Sequence, residues 1–206
     1  MKHDIYVFGS LMRGEVSPTS DIDVLVIPHG PQGREQYPDT WSVYTTKTLE
    51  GYYRTGRLFA WHLHLESKCV FTSGAVPFLE SLGKPAPYTT WREDIADLEV
   101  IMNDALAELR SGTNSLMYEL GLVHTAVRDI AMSASWRLLP APSFSRDAPF
   151  ILPLPCPLSS QVYQAAMLAR HSSTRGAEAQ FDAQSTADAL LAAPLNRWVD
   201  EIRRIL

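Results

Sequence analysis

Residues 9 to 26 read Gly-Ser-Leu-Met-Arg-Gly-Glu-Val-Ser-Pro-Thr-Ser-Asp-Ile-Asp-Val-Leu-Val, and this stretch constrains the chain more than any other. Gly9 and Ser10 leave the apolar run Ile5-Tyr6-Val7-Phe8. A polar crossing follows, and Asp21 and Asp23 then open a second apolar run, Val24-Leu25-Val26-Ile27. In a strand, residues two apart project from one face, so both carboxylates point the same way. Two strands joined by a glycine-serine turn, with paired carboxylates opening the second, are an arrangement suited to a metal-dependent phosphate site.

The chemistry follows from the residue types. Magnesium takes oxygen ligands, usually one or two carboxylates together with substrate phosphates. A pair of such ions, roughly 3.5–4 Å apart, stabilises both the attacking and the leaving oxygen of a phosphoryl or nucleotidyl displacement. Gly9 has no side chain, so backbone N–H groups can approach a phosphate. Ser10 adds a hydroxyl donor. A short helix starting at Leu11 would turn its first amides toward an anion. Read alone, Asp21 and Asp23 could instead cap a turn after Ser20. Their company, Gly9-Ser10 upstream and Arg13-Gly14 between, favours the site.

Gly9-Ser10, Arg13-Gly14 and Ser20-Asp21-Ile22-Asp23 together resemble the signature of the DNA polymerase beta-like nucleotidyltransferase superfamily, in the style of its minimal branch. The resemblance is close over about residues 5 to 27 and looser over the first ninety. It implies that Gly9, Ser10 and Ser20 hold the triphosphate, that Arg13 fixes the loop or a phosphate, and that Asp21 and Asp23 hold magnesium. ATP or another nucleoside triphosphate is the implied substrate. The superfamily normally adds a third carboxylate on a nearby strand. The expected strand here is Leu58 to Glu66, in which Trp61, Leu63 and Leu65 alternate with His62, His64 and Glu66. Glu66 is the expected third carboxylate, a metal ligand that helps deprotonate the attacking hydroxyl. His64 is the alternative ligand or general base, because imidazole titrates near neutral pH.

Composition suits a globular chain. At 206 residues there is room for one large domain or two small ones. No apolar run approaches the ~20 residues of a membrane span. Met1 to Ile5 lead straight into the first apolar run without the features of a secretory signal. Cys69 and Cys156 belong to no Cys/His cluster, which argues against a zinc or disulfide scaffold and suits the cytoplasm. A formal net charge of −5 disfavours a surface that coats nucleic acid.

The expected organisation is α+β: a small mixed-sheet domain over residues 1–88 and a helical bundle over 89–206. Within the first, Trp41 to Tyr53 and Ala75 to Leu82 read as helices, and Lys84-Pro85-Ala86-Pro87-Tyr88 as a link. In the second, helices are expected over 89–109, 116–138, 160–170, 176–191 and 195–206, with a proline-rich crossover at 140–157. This half loosely resembles the HEPN-like or substrate-binding bundles that accompany minimal nucleotidyltransferases. Arg128-Asp129 lacks the histidine that a HEPN cleavage motif needs, so ribonuclease activity is not expected, and the pair reads as a structural contact. His124 reads as a core histidine.

The reaction implied is magnesium-dependent transfer of a nucleoside monophosphate to a hydroxyl on a small molecule, a protein or an RNA end, with release of pyrophosphate. The helical half would supply part of the acceptor cleft. A nucleotide-binding, antitoxin-like module with little turnover is the second reading. An interaction protein that forms a homodimer through its helical half is the third.

Overall fold

A computed structural model describes residues 2–15, 22–30, 34–175 and 180–206 of the chain. The molecule is α+β, with a mixed four-stranded sheet first and helices after it. It divides into two compact units, Met1–Thr90 and Trp91–Leu206.

In the first unit, strand β1 (His3–Phe8) runs into a one-turn helix α1 (Ser10–Arg13), and β2 (Asp23–Pro28) returns antiparallel to β1. A 3-10 turn (Arg34–Gln36) leads to β3 (Ser42–Val43), which pairs parallel with β2. Helices α2 (Thr46–Thr55) and α3 (Leu58–Glu66) follow. Next come β4 (Ser67–Thr72), antiparallel to β1, and the short α4 (Phe78–Leu82). The strand order is β3-β2-β1-β4.

Two expectations for this unit are corrected. Trp41 to Tyr53 is not one helix. Ser42 and Val43 join the sheet, and α2 begins only where the Thr45 hydroxyl accepts the Thr48 N–H at 3.1 Å. A hydroxyl at this position satisfies an otherwise unpaired donor of the first turn. Leu58 to Glu66 is a helix rather than a strand. It contains no β-branched residue, and its Leu, Ala and Glu are good helix formers. The strand lies immediately after it, in Ser67-Lys68-Cys69-Val70-Phe71-Thr72.

One face of the sheet carries the core. Tyr6, Phe8, Leu25 and Ile27 pack against Leu49 and Tyr53 of α2, Ala60 and Leu63 of α3, and Leu79 of α4. Polar ties secure the far end. The Tyr6 hydroxyl donates to Glu80 at 2.8 Å and accepts the Leu79 N–H at 2.9 Å. Asp4 is fully buried, and accepts from Thr72 Oγ1 at 2.8 Å and the Phe78 N–H at 2.7 Å. A buried carboxylate is tolerated only when it is so satisfied. The expected link at 84–88 packs on this unit: the Ala86 N–H donates to Tyr53 O, and Trp61 Nε1 donates to Ala86 O, at 2.8 and 2.9 Å.

The second unit is helical: α5 (Trp91–Ser111), α6 (Leu116–Leu138), α7 (Ala148–Ile151), α8 (Ser160–Arg175), α9 (Ala183–Ala192) and α10 (Leu195–Ile205). Helix α6 is the axis of the bundle, with Leu120, Val123, Ala126, Val127, Ile130, Ala131 and Ala134 all buried. A helix apolar around so much of its circumference has to be enclosed, and α5, α7, α8 and α9 enclose it. The proline-rich crossover holds α7 and is tied down by Ser135 Oγ, which accepts the Ser143 N–H at 2.9 Å. Among the described residues no helix is long and apolar enough to cross a membrane.

Candidate functional site

The site begins where β1 stops. Gly9 has φ 73° and ψ −142°, a backbone state that L side chains rarely adopt. The Met12 N–H donates to Gly9 O at 3.0 Å, which closes α1. Gly14, at φ 72°, ends α1 in the left-handed conformation. Phe8 pairs in register with Asp23, so the turn and the second acidic position meet at one end of the β1–β2 ladder. A Cβ placed on Gly9 would stand 2.3 Å from Asp23 Oδ2. The Asp23 carboxylate therefore lies directly against the Gly9 backbone, in space that only glycine leaves open. Asp21 and Ser20 lie outside the described residues.

The strands that flank β1 and β2 carry no carboxylate beside this end: β3 is Ser42-Val43, and β4 runs from Ser67 to Thr72 without Asp or Glu. Glu66 closes α3 immediately before β4. Phe8 pairs with Asp23 on one side and Ser67 on the other, which sets the Asp23 and Ser67 backbones two strand spacings, roughly 10 Å, apart. The Glu66 side chain is engaged elsewhere. Its Oε2 accepts from Arg13 Nη1 and lies 3.2 Å from His62 Nε2. Arg13 Nε also donates to Glu15 Oε2 at 2.9 Å. Burial pushes the Glu66 carboxyl up. The His62 and Arg13 donors and their charges outweigh that and hold it below the usual carboxylate range, so it is anionic at neutral pH.

The helical geometry of α3 redistributes the residues expected on one strand face. His62 and Glu66 are four apart and share a helix face. His64 is two from each, on a different side, exposed, with its ring edge-on to Trp61 at 5.8 Å. His64 is not brought to Glu66 or Arg13, which corrects its expected place beside the third acid. His62 takes that place, its ring between Phe8 at 5.6 Å and Phe59 at 6.4 Å. The signal that would have found His62 is its four-residue spacing from Glu66, visible only when 58–66 is read as a helix. Trp61 is buried and serves as a packing anchor.

Among the described residues no group of three His, Cys, Asp or Glu side chains is disposed to hold a metal ion. Asp23 contributes one carboxylate, with Asp21 two residues before it. One or two carboxylates completed by substrate phosphate oxygens are what magnesium ordinarily takes, and the side-chain-free surface of Gly9 leaves room for phosphate beside Asp23. These residues fit a magnesium-triphosphate group.

In the helical unit, Arg128 donates to Asp129 through Nε and Nη2, both at 2.7 Å. His124 is buried, with Tyr163 at 4.7 Å between ring centres. Burial, reinforced by Arg128, Arg170 and His171, pushes the His124 imidazole well below its usual range.

No curated protein matches the sequence. Residues 2–76 match the family model described as the nucleotidyltransferase domain, a span that takes in the whole sheet, the Gly9 turn and Asp23. Residues 2–76 are thus similar to a nucleotidyltransferase domain, a match confined to the first unit and consistent with the minimal type of the DNA polymerase beta-like superfamily.

Proposed function

We propose that the chain moves a nucleoside monophosphate from a nucleoside triphosphate, with ATP as the expected donor, to a hydroxyl acceptor. The observation that carries this reading is the Asp23 carboxylate lying against the side-chain-free Gly9 backbone at the end of β1. In this reading Asp21 and Asp23 hold magnesium, which neutralises phosphate charge and polarises the phosphorus under attack. Gly9 lets the triphosphate approach the backbone, and Ser10 donates its hydroxyl to a phosphate oxygen. The acceptor oxygen forms a bond to the α-phosphorus as the bond to the bridging oxygen breaks, and pyrophosphate departs. The chain's residues contribute orientation and charge placement, which dominate catalysis of this class of displacement.

The test is incubation with magnesium, α-labelled nucleoside triphosphates, and small-molecule, protein and RNA acceptors. Label transfer and pyrophosphate release are expected. Asp23→Asn and Asp21→Asn should each lower the rate by roughly 10²–10³-fold, the cost of removing one preorganised electrostatic contact, while melting as the wild type does. Undiminished transfer in both variants would overturn the assignment.

One observation favours a second reading, a nucleotide-binding module with little turnover. The flanking strands supply no third carboxylate, and Glu66 is held by Arg13. That reading expects calorimetric binding of the magnesium nucleotide without pyrophosphate release.

A further inference from the structure

We propose that Glu66 and His62 are positioning residues that act through Arg13 to hold the Gly9–Ser10 turn beneath Asp23, rather than ligands to the metal. The inference rests on the proposed magnesium-nucleotide site and assigns how its phosphate-binding turn is kept in place.

The turn has little holding it by itself. Helix α1 is a single turn with no buried residue, and a glycine bounds it at each end. A segment so short does not persist on backbone hydrogen bonds alone. Arg13, its last residue, is the tether. The guanidinium bonds Glu66 at the α3–β4 junction and Glu15 just past Gly14. His62, one helical turn back from Glu66, approaches the same Glu66 oxygen and packs against Phe8, the last residue before Gly9. The brace thus spans from α3 to both sides of the turn. Arg13, Glu66 and His62 side chains are 17%, 16% and 18% exposed, so these contacts are partly withdrawn from solvent screening.

Charge argues for a brace over a direct phosphate clamp. The Arg13 guanidinium already faces two carboxylates, Glu15 and Glu66, which offset its single positive charge. Its remaining role is geometric, and a planar guanidinium with donors in a fixed fork is well suited to it. The Glu66 Oε2 is turned to Arg13 and His62 rather than to the Asp23 end of the ladder, which is the placement a tether needs. The helix that ends at Glu66 aims its carboxylate at Arg13 of α1, and the brace gives that placement a role.

The experiment measures two affinities in the full-length chain: Mn2+ alone, by electron paramagnetic resonance, and magnesium with α,β-methylene-ATP, by calorimetry. The variants are Glu66→Gln, Arg13→Gln, their double and His62→Gln, with Asp23→Asn as the reference for the metal site. Glu66→Gln and Arg13→Gln should each weaken the nucleotide analogue about tenfold, the usual effect of removing a supporting partner. The double variant should be no worse than either single one, and Mn2+ affinity should stay at the wild-type value in all three. His62→Gln, which leaves Arg13 and Glu66 intact, should give a smaller loss in the same direction. Three results would overturn the brace: a fall in Mn2+ affinity in Glu66→Gln comparable to that in Asp23→Asn, additive losses in the double variant, or unchanged analogue binding in every brace variant. A wild-type chain that fails to bind the analogue, or an Asp23→Asn variant that binds it normally, would instead sink the underlying nucleotide site, so the two failures are separable.

Discussion

At the scale of the residue, Gly9 carries two constraints at once. Its φ of 73° disfavours any L side chain, and its missing Cβ is where Asp23 Oδ2 rests. The first constraint costs roughly 1–3 kcal/mol when violated. The second forces the Asp23 carboxylate to move, because the clash at 2.3 Å is with the side-chain oxygen and not with backbone. Gly9→Ala should therefore fold with a loss of about 1–3 kcal/mol in chemical denaturation and lose magnesium-nucleotide binding in calorimetry. A variant that is destabilised yet binds normally would show that the contact between Gly9 and Asp23 is packing only. Gly14 makes the contrast: at φ 72° and ψ 15° it sits in the left-handed helical region, which is open to more residue types than the Gly9 state, and it has nothing within 4 Å. Gly14→Ala should cost no more stability than Gly9→Ala and spare the Asp23 carboxylate. The Gly9 turn and Asp23 are legible in the sequence, because a glycine-serine turn and an acidic residue opening an apolar run are local patterns with a local physical meaning. Their closure onto each other depends on the Phe8–Asp23 register, which no local pattern specifies.

Elements were less legible than residues, and α3 shows why. Trp61 to Glu66 alternates apolar with polar, the pattern of a half-buried strand, but over six residues alternation and helical spacing are hard to separate. The deciding information was composition: no Val, Ile or Thr from 58 to 66, then Cys69, Val70, Phe71 and Thr72 directly after. At Trp41 to Tyr53 the departure runs the other way: the Thr45 cap starts the helix late and releases Ser42-Val43 to pair with β2. The long helix α6 is legible in the sequence because its period persists over six turns, long enough for one pattern to win. Its packing is also testable. A Cβ on Gly121 would stand 2.8 Å from the Arg170 Cα, so the backbones of α6 and α8 approach closely at that point. Gly121→Ala gains about 1 kcal/mol of helix propensity, but overpacking against backbone costs about 1–3 kcal/mol. Backbone cannot rotate away as a side-chain end can, so the clash should win. Urea denaturation should show a net loss for Gly121→Ala and a larger one for Gly121→Val. A more stable Gly121→Ala would mean that the helices can separate at no cost.

On the scale of the whole molecule, the two units carry different responses to acid. Glu66 braces the first unit as an anion, and its carboxyl is lowered in the folded state. A lowered carboxyl stabilises above its unfolded value, near pH 4.3, and that support is lost as pH falls through its folded value. His124 works in the other range. Burial, then Arg128 on its own helix and Arg170 and His171 on α8, keep its imidazole neutral in the folded chain, and both its ring nitrogens lack a hydrogen-bond partner within the described protein. In the unfolded chain the same imidazole protonates near pH 6.5. The unfolded state therefore binds the extra proton first, and stability falls with decreasing pH below about 6.5 by roughly 1.4 kcal/mol per pH unit until the folded imidazole also titrates. Trp41 and Trp61 belong to the first unit, and Trp91, Trp136 and Trp198 to the second, so single-unit tryptophan variants can follow each by fluorescence. The helical unit should begin to lose stability near pH 6.5, whereas the Glu66-braced unit should hold until about pH 4. His124→Leu removes two buried unpaired nitrogens and keeps an apolar side chain against Tyr163. It should leave stability at pH 7 unchanged or higher, since a buried polar group without partners costs about 1–3 kcal/mol. Between about pH 6.5 and 5, its denaturation free energy should be flatter than the wild type's by one proton's worth of slope. Equal slopes in the two proteins would mean that His124 takes up its proton within the fold, and that the acid response of the helical unit originates in another group.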